Sequence, residues 1–370
     1  ADMDSTDKVV RLIDECRQLG LCVEPPDINA CGFRFSVAGP RTIRYGLGAI
    51  RGVGEAAVDS LTEDRTQGGP YKDLFELCRR NDGRKINKKV IEALIKAGAL
   101  DSLGVRRRGA LDLVEQAMQA AEQQARAAAA GQVDLFGGSA ADPEPDPAQV
   151  VALQRARSVA EWSKPQLLAW EKETLGLYLS GHPLDRYAAE LRGLGIARIA
   201  DLKPGRRRIA GLVNSVRFLK SRRGRMAVVT LDDGTARVEA TVYNEVLESS
   251  LDKVIEDRIV IIEGECKVDD VSGEHALNAQ RLQSMDELRA QLARSLVLQV
   301  KDSAFDEVLA LLQAVLAEKP AAGCQIAIDY ERAGARARLK LGEQWRIKAT
   351  DQLLDQFHRR LGEGAVSIEY

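Results

Sequence analysis

The densest group of chemically active side chains in this sequence is a basic run at 205–225. It holds eight Arg or Lys residues and no Asp or Glu, in a chain whose formal net charge is only −2. Its members are Arg206, Arg207, Arg208, Arg217, Lys220, Arg222, Arg223 and Arg225, with Phe218 among them. Such a local excess of positive charge attracts a phosphate chain, and aromatic rings offer stacking surfaces for bases. Because Phe218 and Tyr243 are the available rings, we expect weak, salt-sensitive binding of single-stranded DNA.

Arg51, Gly52, Val53 and Gly54 form a second candidate phosphate site. They join two short apolar patterns of helical spacing within 45–61, which is the helix-hairpin-helix signature. The glycines let the turn approach a phosphate closely, and the N–H groups at the start of the second helix point at it. Contacts of this kind read the backbone of nucleic acid and not its bases, so we expect duplex DNA of any sequence. An ordinary helical turn with two glycines is the alternative.

A weaker copy of this pattern follows at 86–100. Apolar residues there share one helical face, and 97–99 form the candidate turn. Lys85, Lys88 and Lys89 lie at the start of this segment and could neutralise phosphates of the same duplex. A solvated basic face without a ligand is the alternative for this charge run.

Gln132, Val133, Asp134, Leu135 and Phe136 form a candidate linear binding motif. An alanine-rich stretch precedes them and an acidic, proline-containing stretch follows, so the sequence places no core within short reach. An exposed Leu-Phe pair needs an apolar pocket, and the Gln amide can both donate and accept hydrogen bonds. We therefore predict that the segment anchors a protein partner. In the alternative, Phe136 folds back onto the preceding helix.

The elements that must position these residues predict a multidomain α+β protein. Five strand-like segments at 208–283, with a helix-like stretch between the third and the fourth, follow the order of a five-stranded OB β-barrel. A helical helix-hairpin-helix region precedes this barrel, and a small C-terminal α+β domain of alternating strands and helices follows it. The barrel could also be a structural or protein-binding module.

Changes of pattern along the chain predict the domain boundaries. The first segment, 1–44, has no initiator Met and leads directly into a helical pattern, so we expect the end of a domain that begins in a longer protein. The other expected segments are 45–130, the tandem helix-hairpin-helix region with a helical extension; 131–148, the binding motif and a flexible linker; 149–204, a helical connector; 205–286, the OB barrel; and 287–370, the C-terminal α+β domain.

Composition disfavours several classes of protein. The six cysteines form no CxxC pair and have no His at metal-ligand spacing, which predicts reduced, buried thiols in a cytoplasmic protein. No apolar run approaches the roughly twenty residues that span a bilayer, so we expect no membrane partner. A nuclease or repair enzyme would need a carboxylate cluster for a divalent metal, and the sequence offers none. A stand-alone accessory protein with the same DNA-binding modules is a further alternative.

In this order the modules resemble the C-terminal third of the α subunit of bacterial DNA polymerase III, the replicative polymerase. The stretches that carry the resemblance are 45–54, 98–104, 132–136, 173–183, 231–233 and 333–341. The resemblance implies that 1–44 is the end of the fingers domain and that 132–136 binds the sliding clamp, the β subunit. It further implies that 287–370 binds the τ subunit of the clamp loader.

The resemblance also implies where the chemistry of such a polymerase lies. In that family the catalytic aspartates, with their expected Mg²⁺, belong to a palm domain that precedes this region. We therefore expect no catalytic residue, no metal and no cofactor in this chain, and no nucleotidyl transfer by it alone. The expected function is to hold duplex DNA, single-stranded template, clamp and τ for processive synthesis by the whole DNA-directed DNA polymerase.

Overall fold

A computed structural model describes residues 3, 6–129, 146–221, 224–268, 273–301, 305–316, 323–332, 334–362 and 364–370. The chain divides into two compact units, Ala1–His182 and Pro183–Tyr370. The predicted binding motif at 132–136 lies outside the described residues, and so do Arg222 and Arg223 of the basic run.

The first unit is mainly helical, with one small sheet of strand order β1-β3-β2. Single 3-10 turns lie at Leu47–Ala49 and Asp101–Leu103. Its elements are α1 (Thr6–Gln18), β1 (Cys22–Glu24), β2 (Ser36–Gly39), β3 (Thr42–Arg44), α2 (Glu55–Gly68), α3 (Leu74–Arg80), α4 (Lys88–Lys96), α5 (Arg107–Ala129), α6 (Pro147–Ser158) and α7 (Lys164–Leu175).

Helix α4 shows how local sequence builds this unit. The Asn87 side chain caps its start by accepting a hydrogen bond from the Val90 N–H at 3.2 Å. Val90, Ile91, Leu94 and Ile95 recur at helical spacing and are all buried. This face packs against α5 within a single core that includes 45–61. The apolar stripe predicted at 86–100 is therefore the side of the helix that faces the core.

The second unit contains the barrel and the C-terminal domain. It begins with 3-10 turns at Pro183–Tyr187 and Ile199–Asp201, which flank α8. Its remaining elements are α8 (Ala188–Gly193), β4 (Gly205–Ser221), β5 (Gly224–Asp232), β6 (Arg237–Val242), α9 (Asn244–Glu248), β7 (Ile259–Val268), β8 (His275–Gln283), α10 (Met285–Leu292), β9 (Ser295–Lys301), α11 (Phe305–Leu316), β10 (Cys324–Arg332), β11 (Ala335–Lys340), β12 (Arg346–Ile347), α12 (Asp351–Leu361) and β13 (Val366–Glu369).

Five strands close into a barrel of order β4-β5-β6-β8-β7. The long strand β4 pairs with β7 along its first half and with β5 along its second half, with a register shift between Val213 and Ser215. A parallel pairing of β6 with β8 completes the closure. Side chains such as Ile209, Val229 and Leu277 fill the interior. This topology, with α9 between the third and fourth barrel strands, confirms the predicted OB barrel.

The C-terminal domain has a sheet of order β11-β10-β9-β13, with β12 also paired to β10. Leu296 and Ile326 from the sheet pack with Leu312 of α11 and Phe357 of α12 in a separate core. The alternation of strands and helices predicted for 287–370 is therefore observed, and the multidomain α+β class is confirmed.

A buried arginine connects the helices of the second unit. Arg289 on α10 is 3% exposed, and its Nε and Nη2 donate to the two carboxylate oxygens of Glu190 on α8 at 2.7 and 2.8 Å. Its Nη1 donates to Asp351, at the start of α12, at 2.6 Å. A buried charge is costly unless it is paired, so this network fixes α8, α10 and α12 to one another.

The segment predicted as a helical connector, 149–204, is divided between the two units. Helices α6 and α7 pack on α5 and α4 in the first unit, whereas α8 belongs to the second. The prediction of six buried thiols was correct for Cys31, Cys78, Cys266 and Cys324. It was wrong for Cys16, which is only half-buried, and for Cys22, which is exposed because it begins the edge strand β1.

Candidate nucleic-acid interface

The first glycine hairpin, residues 51–54, leads directly into α2. Gly52 has a φ of +87°, a conformation that side-chain-bearing residues rarely adopt. Gly54 is the N-cap of α2, and a Cβ built there would have no heavy atom within 4 Å. The first N–H bond of the helix is donated by Ala57 to the Gly54 carbonyl at 3.1 Å, so the N–H groups just before it lie at the open end of α2. This end of α2 has the geometry of an anion site.

The helix before this hairpin is shorter than the sequence predicted. It is a single 3-10 turn, Leu47–Ala49, because the segment is pressed against residues 33–35. A Cβ on Gly48 would lie 2.3 Å from the Phe33 ring, and one on Gly46 would lie 2.7 Å from the Phe33 carbonyl oxygen. Only glycine allows this close packing, which replaces further helix.

The hairpin packs on α4, which carries the predicted Lys88 and Lys89, while Lys85 lies in the turn before this helix. A Cβ on Gly52 would lie 3.9 Å from the Ala93 Cβ, one helical turn from Lys89. Lys88 is exposed, but its Nζ lies 2.5 Å from Glu115 Oε1, and this bond raises the pKa of the lysine. Lys85 and Lys89 are exposed as well. The structure therefore places Lys89 one helical turn from the residue that the first hairpin contacts, while Lys88 is already bonded to a carboxylate.

Arg51 is exposed but forms hydrogen bonds with backbone carbonyls of α7. Its backbone N–H donates to the Thr174 carbonyl at 2.8 Å, and its Nη1 donates to the Glu173 carbonyl at 3.2 Å. Both acceptors lie in the last turn of α7. The sequence offered no signal for these bonds, because 122 residues separate Arg51 from Glu173.

Only part of the positive charge at the start of the basic run is compensated within the barrel. Arg206 and Arg208 on β4 both bind Glu263 on β7, at 2.5 and 3.0 Å. These two hydrogen bonds, that from Arg208 foremost, lower the pKa of the Glu263 carboxyl. Arg207 donates to backbone carbonyls of Lys203, Pro204 and Arg206.

Arg217 is also paired across the sheet. Its Nη2 lies 2.5 Å from Glu239 Oε1 on β6, so the guanidinium is partly neutralised. Both side chains remain more than half exposed, at 60% and 53%. An exposed pair of this kind contributes little to stability and can exchange its carboxylate for a phosphate.

The end of the β4–β5 hairpin differs from the rest of the run. We call Phe218, Lys220 and Arg225 the barrel tip. All three are exposed, and the Arg225 guanidinium lies 5.9 Å from the centre of the Phe218 ring. Lys220 and Arg225 are direct cross-strand partners, an arrangement of like charges that is unfavourable without an anion. Within the described residues neither cation forms an ion pair, so the tip offers an exposed ring beside positive charge.

Tyr243 adds a second ring near this end of the barrel. It follows Val242, which pairs with Ala227, and Ala227 in turn pairs with Phe218. Its side chain is 44% exposed. Sequence reasoning had counted this tyrosine as an available ring but had not assigned it to the site. Strand register supplies the missing information, because β4 and β6 both pair with β5 and this places residues 218 and 243 near the same end of the barrel.

In the part of the chain that the structure describes, no group of three or more His, Cys, Asp or Glu side chains is placed to hold a metal ion. No described helix combines the length and the hydropathy needed to cross a bilayer.

Three family models match separate parts of the chain. A helix-hairpin-helix motif matches residues 20–110, and an OB-fold nucleic acid binding domain matches 208–284. The C-terminal domain of DNA polymerase III subunit alpha matches 312–362. Fold and sites thus define a multidomain protein that combines two modules of nucleic-acid-binding type.

Curated relatives match along the whole chain. DNA polymerase III subunit alpha from Pseudomonas aeruginosa is 40% identical over 388 residues, covering 100% of this chain and 33% of the relative. The proteins of the same name from Vibrio cholerae and Escherichia coli K12 are 40% and 38% identical, each covering 100% of this chain and 32% of the relative. The chain belongs to the DNA polymerase III α-subunit family and corresponds to its C-terminal region. It spans about a third of the length of these relatives.

Solved structures show a much weaker likeness. Asparaginyl-tRNA synthetase from Pyrococcus horikoshii aligns at 18% identity over 33% of each chain, with a TM-score of 0.21. A score this low supports no conclusion about fold or function.

Proposed function

We propose that this chain is the part of a bacterial replicative DNA polymerase that holds DNA and partner proteins for processive synthesis in the cytoplasm. The observation that carries the proposal is 40% identity to DNA polymerase III subunit alpha along 100% of the chain. The two modules of nucleic-acid-binding type in the same chain support it. Nucleotidyl transfer, with its catalytic aspartates and Mg²⁺, is assigned to the remainder of the polymerase.

The first unit grips duplex DNA. The open end of α2 after Gly54 meets one phosphate through backbone N–H groups, and the exposed Lys89 on α4 and Lys85 in the turn before α4 add positive charge. Backbone N–H groups and lysines recognise phosphates and not base edges. Duplex of any sequence is therefore the ligand, as a polymerase that copies a whole chromosome requires.

The barrel tip holds single-stranded template. Phe218 and Tyr243 offer faces on which bases stack, while Lys220 and Arg225 neutralise phosphates. Two rings and a few cations give a modest affinity that falls steeply with salt. A weak hold suits a strand that must slide past the polymerase.

A tether converts these weak grips into processivity. Residues 132–136 dock on the sliding clamp, with Leu135 and Phe136 in an apolar pocket and Gln132 hydrogen-bonded at its rim. Because the clamp encircles the duplex, a polymerase bound to the clamp stays close to the DNA at a high effective concentration. A DNA-binding surface that dissociates from the duplex therefore rebinds quickly. By the family resemblance, the C-terminal α+β domain binds the τ subunit of the clamp loader; the match of 312–362 to the C-terminal domain of the α subunit is consistent with this role.

The tether gives the most direct test of the proposed function. Leu135→Ala with Phe136→Ala should weaken clamp binding by about thirtyfold, because two apolar anchors of an interface are removed. The matched control is Val150→Ala with Val151→Ala, two exposed apolar side chains on α6. Titration of immobilised clamp measures both, and an affinity that the first pair leaves unchanged contradicts the proposal.

A further inference from the structure

We propose that helix α7 is the positioning element of the duplex grip, fixing both glycine hairpins from outside the helix-hairpin-helix segment. It lies at Lys164–Leu175, beyond the matched segment at 20–110. The inference rests on the proposed duplex binding and assigns its geometry to residues that do not touch DNA. Three sets of contacts support it.

The first contact joins α7 to the first glycine hairpin. The Arg51 backbone N–H and its guanidinium both donate to carbonyls of the last turn of α7, those of Thr174 and Glu173. Carbonyl groups at the end of a helix have no partner within it and carry partial negative charge, so a guanidinium there is favoured. Gly52, which has a left-handed backbone conformation, directly follows Arg51, so the bonds of Arg51 to α7 fix the chain just before it.

The second contact joins α7 to the helix that leads into the second glycine hairpin, residues 97–99. Lys96 is the last residue of α4, and its Nζ lies 3.0 Å from Glu173 Oε1. The same ammonium group lies 4.0 Å from the centre of the Trp170 ring, one turn earlier on α7. The Lys96 side chain is only 20% exposed, so its charge interacts with α7 and not with solvent.

The third contact reaches the second hairpin through a buried pair. Glu171 on α7 is 1% exposed and receives a hydrogen bond from Arg107 Nη1 at 3.1 Å. Its other oxygen accepts the N–H groups of Leu179 and Ser180, both at 3.0 Å. Arg107 in turn covers Gly98, where a Cβ would lie 2.2 Å from the guanidinium. The glycine of the second hairpin is therefore packed against an arginine that α7 holds in place.

Electrostatics and positioning make opposite predictions for Glu173. Removing this carboxylate makes the region more positive, so charge alone would strengthen the binding of a phosphate backbone. If α7 positions the hairpins, the same change loosens Lys96 and weakens duplex binding. The sign of the effect therefore separates the two explanations.

Glu173→Ala should weaken binding of a short blunt duplex by about fivefold in fluorescence anisotropy, the loss of one partly buried ion pair. Glu173→Gln keeps a hydrogen-bond acceptor for Lys96 and should recover most of the affinity, whereas a purely electrostatic role would give tighter binding. Glu122→Ala on α5 is the matched control, because it removes an exposed ion pair with Arg126.

Hydrogen exchange of the hairpin amides at 52–54 and 97–99 provides a readout without DNA. Faster exchange in Glu173→Ala and Trp170→Leu, together with weaker duplex binding, supports the inference. Wild-type affinity or tighter binding in these variants overturns it. If the wild-type chain binds no duplex, the proposed duplex-binding function is rejected. The positioning role is then tested separately: it is rejected if hydrogen exchange of the hairpin amides is the same in the variants as in the wild type.

Discussion

The two DNA-binding surfaces proposed for this chain use their cations in opposite ways. Near the glycine hairpins of the first unit, Arg51, Lys88 and Lys96 are bound to acceptors within the protein, and the exposed Lys85 and Lys89 add to the backbone N–H groups. At the barrel tip, Lys220 and Arg225 face each other across two strands and repel. The hairpin surface is rigid and offers backbone N–H groups, whereas the tip offers side-chain charge.

This difference implies two modes of binding. A rigid hairpin fits the regular spacing of phosphates on a duplex, and its affinity depends on geometry. A charged tip with an exposed ring adapts to a flexible single strand, and its affinity depends on salt. A substitution that changes charge but not backbone geometry should mainly affect single-strand binding. One that changes backbone geometry but not charge should mainly affect duplex binding.

The largest effect is expected at the barrel tip. Lys220→Ala with Arg225→Ala should weaken binding of a short oligothymidine by about tenfold. The slope of log affinity against log salt should become shallower by about 1.4, the value for two phosphate contacts on a single strand. Arg206→Gln is the control, because it removes a cation outside the tip that is ion-paired with Glu263. Equal losses in the control and the double variant would remove the distinction between tip and barrel.

Geometry should dominate at the first glycine hairpin. Gly52→Ala forces a side chain into a φ of +87° and should lower the free energy of unfolding by about 1 kcal/mol, with weaker duplex binding and no change in net charge. Gly83→Ala is the matched control, since a Cβ there has no neighbour within 4 Å. Chemical denaturation and duplex titration measure the two effects. If Gly52→Ala matches Gly83→Ala in both, the hairpin does not need its left-handed residue.

Acid should remove the stabilisation that the ionised Glu263 contributes through its bonds with Arg206 and Arg208. The pKa of Glu263 is lowered in the fold by its bonds from Arg208 and Arg206, so its contribution is present above the pKa of the unfolded chain. That contribution is lost as pH falls through the lowered pKa, and the pair is worth about 0.5–1 kcal/mol. Thermal melts of wild type and Glu263→Gln should differ at neutral pH and converge in acid. A constant difference would show that the carboxylate is not the cause.

The smallest effect should come from the charge at the start of α2. Glu55 lies in the first turn, where a carboxylate stabilises the helix dipole but repels a phosphate. Glu55→Gln should therefore tighten duplex binding by about twofold while slightly lowering stability. Oligothymidine affinity serves as the internal control, because the barrel tip does not involve this residue. Weaker duplex binding would argue against a phosphate at this helix end.

Much of the architecture follows from local sequence patterns. Alternating apolar residues and turn signals predicted the order of the barrel strands, and helical spacing predicted the apolar face of α4. These features are local because a strand or a helix repeats within a few residues.

The state of the charges could not be predicted in the same way. Whether Arg206 is free depends on the register that sets β4 against β7, which brings Glu263 to it from 57 positions away. Arg51 likewise bonds to a backbone carbonyl of α7, and no sequence pattern marks a carbonyl as the partner of a distant arginine. Composition therefore located the basic run but could not separate its paired members from the exposed barrel tip.

The division of labour between the two surfaces can be measured directly by hydrogen-exchange footprinting with each kind of DNA. With a short duplex, the account predicts protection at 51–56 and around Lys89, and none at 218–225. With oligothymidine, it predicts the reverse. Protection of the same residues by both ligands, or of neither region by either, would contradict it.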